Sequence, residues 1–152
     1  MYLQGRSQNA VDDKGRVLLP VKMRRALMGD DERDPVYMTR GFEDCLAVYP
    51  RKRWDDLQAM ISALNPFDPR ARAFTRLFVG DSEEVFPDGQ KRVKLPAFLR
   101  EMAGIEDKVL VVGTGDRIEL WNPERYEAKL NEEIDYSSLA SEVMVGAPPL
   151  AA

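Results

Sequence analysis

The chain has 152 residues, 44% of them hydrophobic, with no histidine and a single cysteine. That is enough apolar matter for one domain, or for two small units fused around a common core, and it excludes a serine–histidine or cysteine–histidine nucleophile, a histidine-bound metal and an internal disulfide. The formal charge of −4 is unevenly spread: residues 1–100 carry 18 Lys and Arg against 15 Asp and Glu, and residues 101–152 only 4 against 11, so a basic face able to hold nucleic acid is compatible with an acidic whole.

Taken in order, "SQNAV" (7–11) and "RVLLP" (16–20) predict two short strands around the turn "DDKG" (12–15), a hairpin whose Asp and Gly supply the turn chemistry. "VKMRRAL" (21–27) predicts a short helix that leans on Met23 and Leu27, four residues apart. "PVYMTR" (35–40) and "CLAVY" (45–49) predict a second hairpin around "GFED" (41–44), with Cys45 a buried thiol in an apolar run. Pro50 opens a helix carrying Trp54, Leu57, Ile61 and Leu64 at 3.6 spacing until Asn65 and Pro66 stop it. "PRARAFTRLFVG" (69–80) predicts a connecting helix with Phe74, Leu77 and Phe78 on one face and Arg72 and Arg76 on the other. Strands at "EEVF" (83–86), "RVKLP" (92–96), "KVLVVGT" (108–114) and "RIELW" (117–121) follow, with a short helix at "AFLREMA" (97–103) and another from Pro123 to about Ile134. The terminal "GAPPLAA" (146–152) has little to pack with and is expected to be mobile. No apolar run approaches the ~20 residues that span a bilayer, and Arg6 stands where a signal peptide is apolar, so the expected address is cytoplasmic.

The order of elements repeats because the sequence does. A shift of 76 residues places Asp88 on Asp12, Arg92 on Arg16, Leu95 on Leu19, Pro96 on Pro20 and Arg100 on Arg24; a shift of 72 places "RIELW" on "CLAVY" and Tyr126 on Trp54. The offsets differ because the first copy has the longer loop, "MGDDERDP" (28–35) against "AGIEDK" (103–108). Two copies with so long a period predict an α+β pseudo-dimer whose halves complete each other's core, divided as repeat 1 (5–65), linker helix (66–80), repeat 2 (81–135) and C-terminal tail (136–152).

Within each copy the densest charge lies in one D-x-x-x-R motif, Asp12 to Arg16 and Asp88 to Arg92. An aspartate at the start of a turn accepts backbone N–H bonds and braces an arginine four residues on, holding its guanidinium in one rotamer. Such a braced fork suits guanine O6 and N7 or a phosphate; in the first copy Lys14 adds charge and Gly15 allows close approach. Lys22, Arg24, Arg25 and Arg6 are the next candidates for phosphate contacts. The plain alternative is an Asp–Arg pair that fixes the turn and does nothing else. The cations of "RKRWDDL" (51–57) are expected as a solvated face compensated by Asp55 and Asp56, the stripe Arg70, Arg72 and Arg76 as ordinary surface, and Met23, Leu27, Phe98 and Met102 as core or subunit contact.

The series "DDKGRVLLPVKMRRAL", "LAVYPRKRW", "RLFVGDSEEVFPDGQKRVKLPAFLREMAGI" and "VLVVGTGDRIELW" resembles the MraZ family of bacterial transcriptional regulators, built from two AbrB-type (SpoVT–AbrB) repeats, over residues 1 to about 135. The tandem D-x-x-x-R pair is its most specific element. The resemblance implies interlocked swapped-hairpin β-barrels with flanking helices and a ring-like, nucleoid-associated homo-oligomer. It further implies repression through double-stranded DNA, at short direct repeats in the promoter of the division and cell-wall gene cluster that includes the regulator's own gene, without cofactor or catalysis. One departure stands out: the family usually has Gly-Arg in the second motif where this chain has Lys91-Arg92, so a differently shaped second turn is expected, with Asp88, Lys91 and Arg92 a secondary contact group. Two other classes compete. A two-aspartate hydrolase would place Asp12 and Asp88 as a proton-sharing dyad, but a lysine and an arginine close to each aspartate keep it ionised. An antitoxin-like or scaffold interaction module would use the same barrel without affinity for a defined DNA.

Overall fold

The computed structural model describes residues 2–132 and 135–145. In chain order the elements are β1 (Arg6–Ala10), β2 (Arg16–Val17), α1 (Val21–Met28), β3 (Val36–Arg40), β4 (Leu46–Pro50), α2 (Arg51–Ser62), α3 (Pro69–Phe78), β5 (Glu83–Val85), β6 (Val93–Lys94), α4 (Ala97–Met102), β7 (Lys108–Gly113), β8 (Ile118–Trp121), α5 (Pro123–Glu132) and α6 (Tyr136–Val143). Ile134 and "GAPPLAA" lie outside the described residues, and α6 occupies the start of the segment expected as a tail. No helix among the described residues is long and apolar enough to cross a membrane.

Six strands form one antiparallel sheet in the order β1-β7-β8-β4-β3-β5. Each half gives its first strand to the other: β1 lies on β7 from Arg6↔Val112 to Ala10↔Lys108, and β5 lies on β3 from Val36↔Val85 to Met38↔Glu83. The halves meet at the centre, where Leu46 faces Leu120 and Val48 faces Ile118 across β4 and β8. A separate two-stranded ribbon, β2 with β6, pairs Arg16 with Lys94 and Val17 with Val93.

This pairing corrects two expectations. The hairpins around "GFED" and between β7 and β8 form as ladders, but the first predicted hairpin survives only as a turn, with one isolated bridge, Val11↔Val17, because β1 leaves for β7 and β2 for β6. Nor do the strands close into a barrel: among the described residues they make an open sheet plus the ribbon.

β4 reads as an unbroken apolar run because both faces of the sheet are covered there. One face of β4, Leu46 and Val48, joins Val36, Met38, Val111, Ile118 and Leu120 in the main core, closed by Met23, Leu27 and Leu99 from α1 and α4. The opposite face, Ala47 and Tyr49, packs under α2 and α3 against Trp54 and Phe78. There Trp54 stacks on Tyr37 and on Phe78, each at 5.5 Å between ring centroids. Asp68 caps α3 by accepting from the Arg70 N–H, with Pro69 at the first helical position, which fixes the helix axis so that Phe78 points inward. Phe74 shares the face of Phe78 as expected and stacks on it at 5.2 Å between centroids, while Leu77 is half-exposed and Phe98, expected as core or subunit contact, is exposed on α4. Cys45 is fully buried, and burial pushes its thiol up to about 12.

Because the halves share one core, Leu120→Ala is expected to cost about 3 kcal/mol and to lower the melting of both halves together. Fluorescence of Trp54 in a Trp121→Phe background and of Trp121 in a Trp54→Phe background should then report coincident thermal transitions, each shifted equally by the Leu120 change.

Candidate nucleic-acid interface

Each D-x-x-x-R motif folds around its own aspartate. Asp12 Oδ1 accepts from the backbone N–H groups of Lys14 (3.0 Å) and Arg16 (2.8 Å), while Oδ2 accepts from Arg16 Nε at 2.6 Å. In the second motif Asp88 Oδ1 accepts from Gln90 N and Arg92 N, and Oδ2 from Arg92 Nε, all at 2.9 Å. The carboxylate thus organises both the loop and the arginine that leaves it. These bonds stabilise the charged form. The Arg16 backbone N–H, then its guanidinium and the Lys14 N–H, hold the Asp12 carboxyl down from 3.8 to about 2, and the Arg92 backbone N–H leads the same effect on Asp88.

The expected difference in shape between the turns is not found. Gly15 has φ +80° and Lys91, in the matching position, φ +65°, so a lysine adopts the left-handed conformation that the carboxylate imposes. That conformation costs a residue with a Cβ roughly 1–2 kcal/mol. Lys91 finds a local anchor, donating from Nζ to the Asp31 carbonyl at 3.1 Å and lying 3.9 Å from Glu32. Gly15 itself is buried: its carbonyl accepts from Leu95 N at 2.8 Å, and a Cβ there would sit 3.2 Å from the Arg100 guanidinium.

The ribbon brings the two turns together. Val17 and Val93 face the core, and Arg16, Leu18, Arg92 and Lys94 lie on the alternate, outward positions. Arg16 and Arg92 remain 29% and 25% exposed, and Arg92 Nη1 comes within 3.7 Å of Asp12 Oδ2. Arg16 engages Asp12 through Nε, so its terminal amino groups have no hydrogen-bond partner among the described residues.

Lys14 is exposed at the turn, and Arg6 is exposed on β1. Lys22 and Arg25 are exposed on α1 and, with Tyr2, Gln4, Met23 and Asp30, line a shallow cleft. Arg24 is turned inward instead: it pairs with the buried Glu32 and donates from Nη1 to the Leu19 carbonyl at 2.7 Å. Lys94, exposed opposite Arg16, belongs to the same surface but lies outside the motif pattern; only the pairing of β2 with β6 reveals it. The cations opening α2 are not balanced by Asp55 and Asp56 as expected. Arg53 pairs with Asp116 at 2.8 Å, and Arg51 meets the Tyr37 hydroxyl and Glu84, so they dock the helix on the sheet. Arg70 folds back on Asp68, and Arg72 donates to the Pro66 carbonyl.

Fold and turns together define a duplicated α+β protein with one outward face of paired, braced arginines. Among the described residues no group of three or more Cys, Asp or Glu could hold a metal ion, and the ionised state of Asp12 and Asp88 removes a proton-sharing dyad. A family model described as "MraZ protein, putative antitoxin-like" matches residues 2–77 and again 78–144. A relative from Thermomicrobium roseum is 40% identical over 129 residues, 85% of this chain and 87% of its own length; one from Saccharopolyspora erythraea is 35% identical over 147 residues, 96% and 99%. A third, from Thiobacillus denitrificans, is 34% identical over 131 residues, 86% and 88%. All three bear the name "Transcriptional regulator MraZ". The chain belongs to the MraZ family, which is one of regulators and not of enzymes.

Two outcomes follow from the turns. The folded pKa of Asp12 lies below its unfolded value, so its contribution to stability is present above about 3.8 and disappears as pH falls towards about 2. Denaturant titrations at pH 5, 4, 3 and 2 should show a shallower acid decline for Asp12→Asn than for the wild type. Gly15→Ala should lower stability by 1 kcal/mol or more, on the order set by left-handed strain, whereas Lys91→Gly should be neutral or stabilising; paired denaturation curves check both.

Proposed function

We propose that the chain is a sequence-specific DNA-binding transcriptional regulator, cytoplasmic and nucleoid-associated. It represses the division and cell-wall gene cluster that includes its own gene, binding short direct repeats in that promoter as a ring-like homo-oligomer. The observation that carries this reading is the partly exposed Arg16 guanidinium, fixed through Nε by an ionised aspartate, its terminal amino groups without a hydrogen-bond partner among the described residues. A guanidinium held in that way presents two parallel N–H donors to guanine O6 and N7, or to a phosphate, without losing rotamer freedom on binding. Lys14, Lys22, Arg25, Arg6 and Lys94 supply phosphate contacts around it, and the inward Arg24 holds α1 in place.

One arginine surface per chain gives a weak contact. Several linked chains on several repeated boxes raise the effective concentration of each later contact, so occupancy depends on the number and spacing of boxes. Strand exchange supports the swapped-hairpin form of the family: each half completes the sheet of the other. The acidic C-terminal third, net −7 over residues 101–152, disfavours indiscriminate adsorption to DNA.

Binding of the purified protein to its own upstream region, against scrambled DNA at several salt concentrations, tests the reading. Wild type should discriminate the two fragments and lose affinity steeply with salt. Arg16→Ala should lose roughly ten- to a hundredfold of specific affinity while the fold persists with a melting temperature lowered by no more than a few degrees, the cost of one partly exposed ion pair, and Arg16→Glu should abolish binding. Equal, weak, salt-insensitive binding to both fragments would leave the antitoxin-like interaction module as the function.

A further inference from the structure

The internal symmetry relates Asp12 to Asp88 and Arg16 to Arg92, yet their contacts are not symmetric. Asp88 pairs with Arg92 alone, at 2.9 Å, whereas Asp12 lies 2.6 Å from Arg16 Nε and 3.7 Å from Arg92 Nη1. An ionised carboxylate between two guanidinium groups offsets their repulsion and lets them approach. The ribbon register sets how far apart they sit. Arg16 is directly opposite Lys94, so Arg92, two positions back on the partner strand, is its diagonal neighbour on the same outward face. The Cα atoms of diagonal neighbours in an antiparallel pair are roughly 7–8 Å apart. Because Arg16 Nε and Arg92 Nη1 both lie on Asp12 Oδ2, at 2.6 and 3.7 Å, the guanidinium groups sit closer than the rise of two base steps of B-DNA, about 7 Å.

We propose that Arg16 and Arg92 act as one paired reading element, contacting neighbouring positions within about two base steps of a single box, and that Asp12 is the positioning residue for both. This rests on the DNA-binding function proposed above and deepens it: each chain then offers one composite contact drawn from both repeats, not two independent ones. Lys94, directly opposite Arg16 on the same face, supplies the adjacent phosphate contact. The second turn keeps its shape without glycine because the Asp88 carboxylate builds it, which leaves Arg92 in register with Arg16, and Lys91 anchors that turn on the Asp31 carbonyl.

The shared brace is read without DNA. In the free protein, the arginine Nε–H resonances, assigned with Arg16→Lys and Arg92→Lys, should both move in Asp12→Asn, while Asp88→Asn should move only that of Arg92; an Arg92 signal indifferent to Asp12→Asn overturns the brace. The paired element is read on the promoter fragment by a double-mutant cycle. Arg16→Ala and Arg92→Ala should each lose about tenfold or more, and the double variant little beyond the worse single, with every variant still folded at the assay temperature. Single-base substitutions should show Arg92→Ala relaxing a position within about two steps of the one relaxed by Arg16→Ala. Specific wild-type binding with additive losses, or with Arg92→Ala silent, overturns the pairing alone; failure of the wild type to discriminate promoter from scrambled DNA overturns the regulator reading and the pairing with it.

Discussion

Strand β1 fills the place beside β7 and β5 the place beside β3, so neither repeat can satisfy its own backbone hydrogen bonds without the other. A chain obliged to cross over in this way brings its two turns home to the same spot. As β1 leaves for the second half, the segment after the turn is freed from it, and β2 has β6 as its partner. The ribbon that carries both arginines is therefore a by-product of how the sheet is completed. Its position is as firm as the core under it, through Val17 and Val93.

On that platform the aspartates impose local order. A carboxylate that accepts two backbone N–H groups and one guanidinium dictates the turn strongly enough to hold a lysine in a conformation that usually calls for glycine. What differs between the copies is therefore not the turn but its surroundings: Gly15 is packed against Arg100, and Lys91 reaches the 28–35 loop, which is longer in the first repeat. Duplicated motifs keep their geometry through the shared anchor and diverge in what leans on them.

Much of this was legible in the residues. Periodicity places α1, α2, α3 and the strands 36–40, 46–50, 108–113 and 118–121 where they occur, because each pairs an apolar face with strong start and stop signals such as Pro50, Pro69 and Asn65. Strand partners were not legible. The repeat shows that positions 7 to 11 and 83 to 87 are equivalent, but the same alternation serves a local hairpin or an exchange between halves, and only the shared core decides. The ionic partners were hidden for a related reason: Arg53 meets Asp116 across 63 residues and Arg40 meets Asp81 across 41, pairs that no local spacing announces. Lys94 joined the arginine face only once the register was known. The second turn departs from the expectation set by its missing glycine because the aspartate that builds the loop outweighs it.

The buried Cys45 has a practical side. Its sulfur is closed off from solvent, and its thiol stays protonated well above neutral pH, so alkylating reagents find almost no thiolate there. A cysteine placed at the exposed Lys14 position would then be the one reactive thiol on the molecule, and a photo-cross-linker or spin label could be attached beside the arginine pair without first editing the native residue.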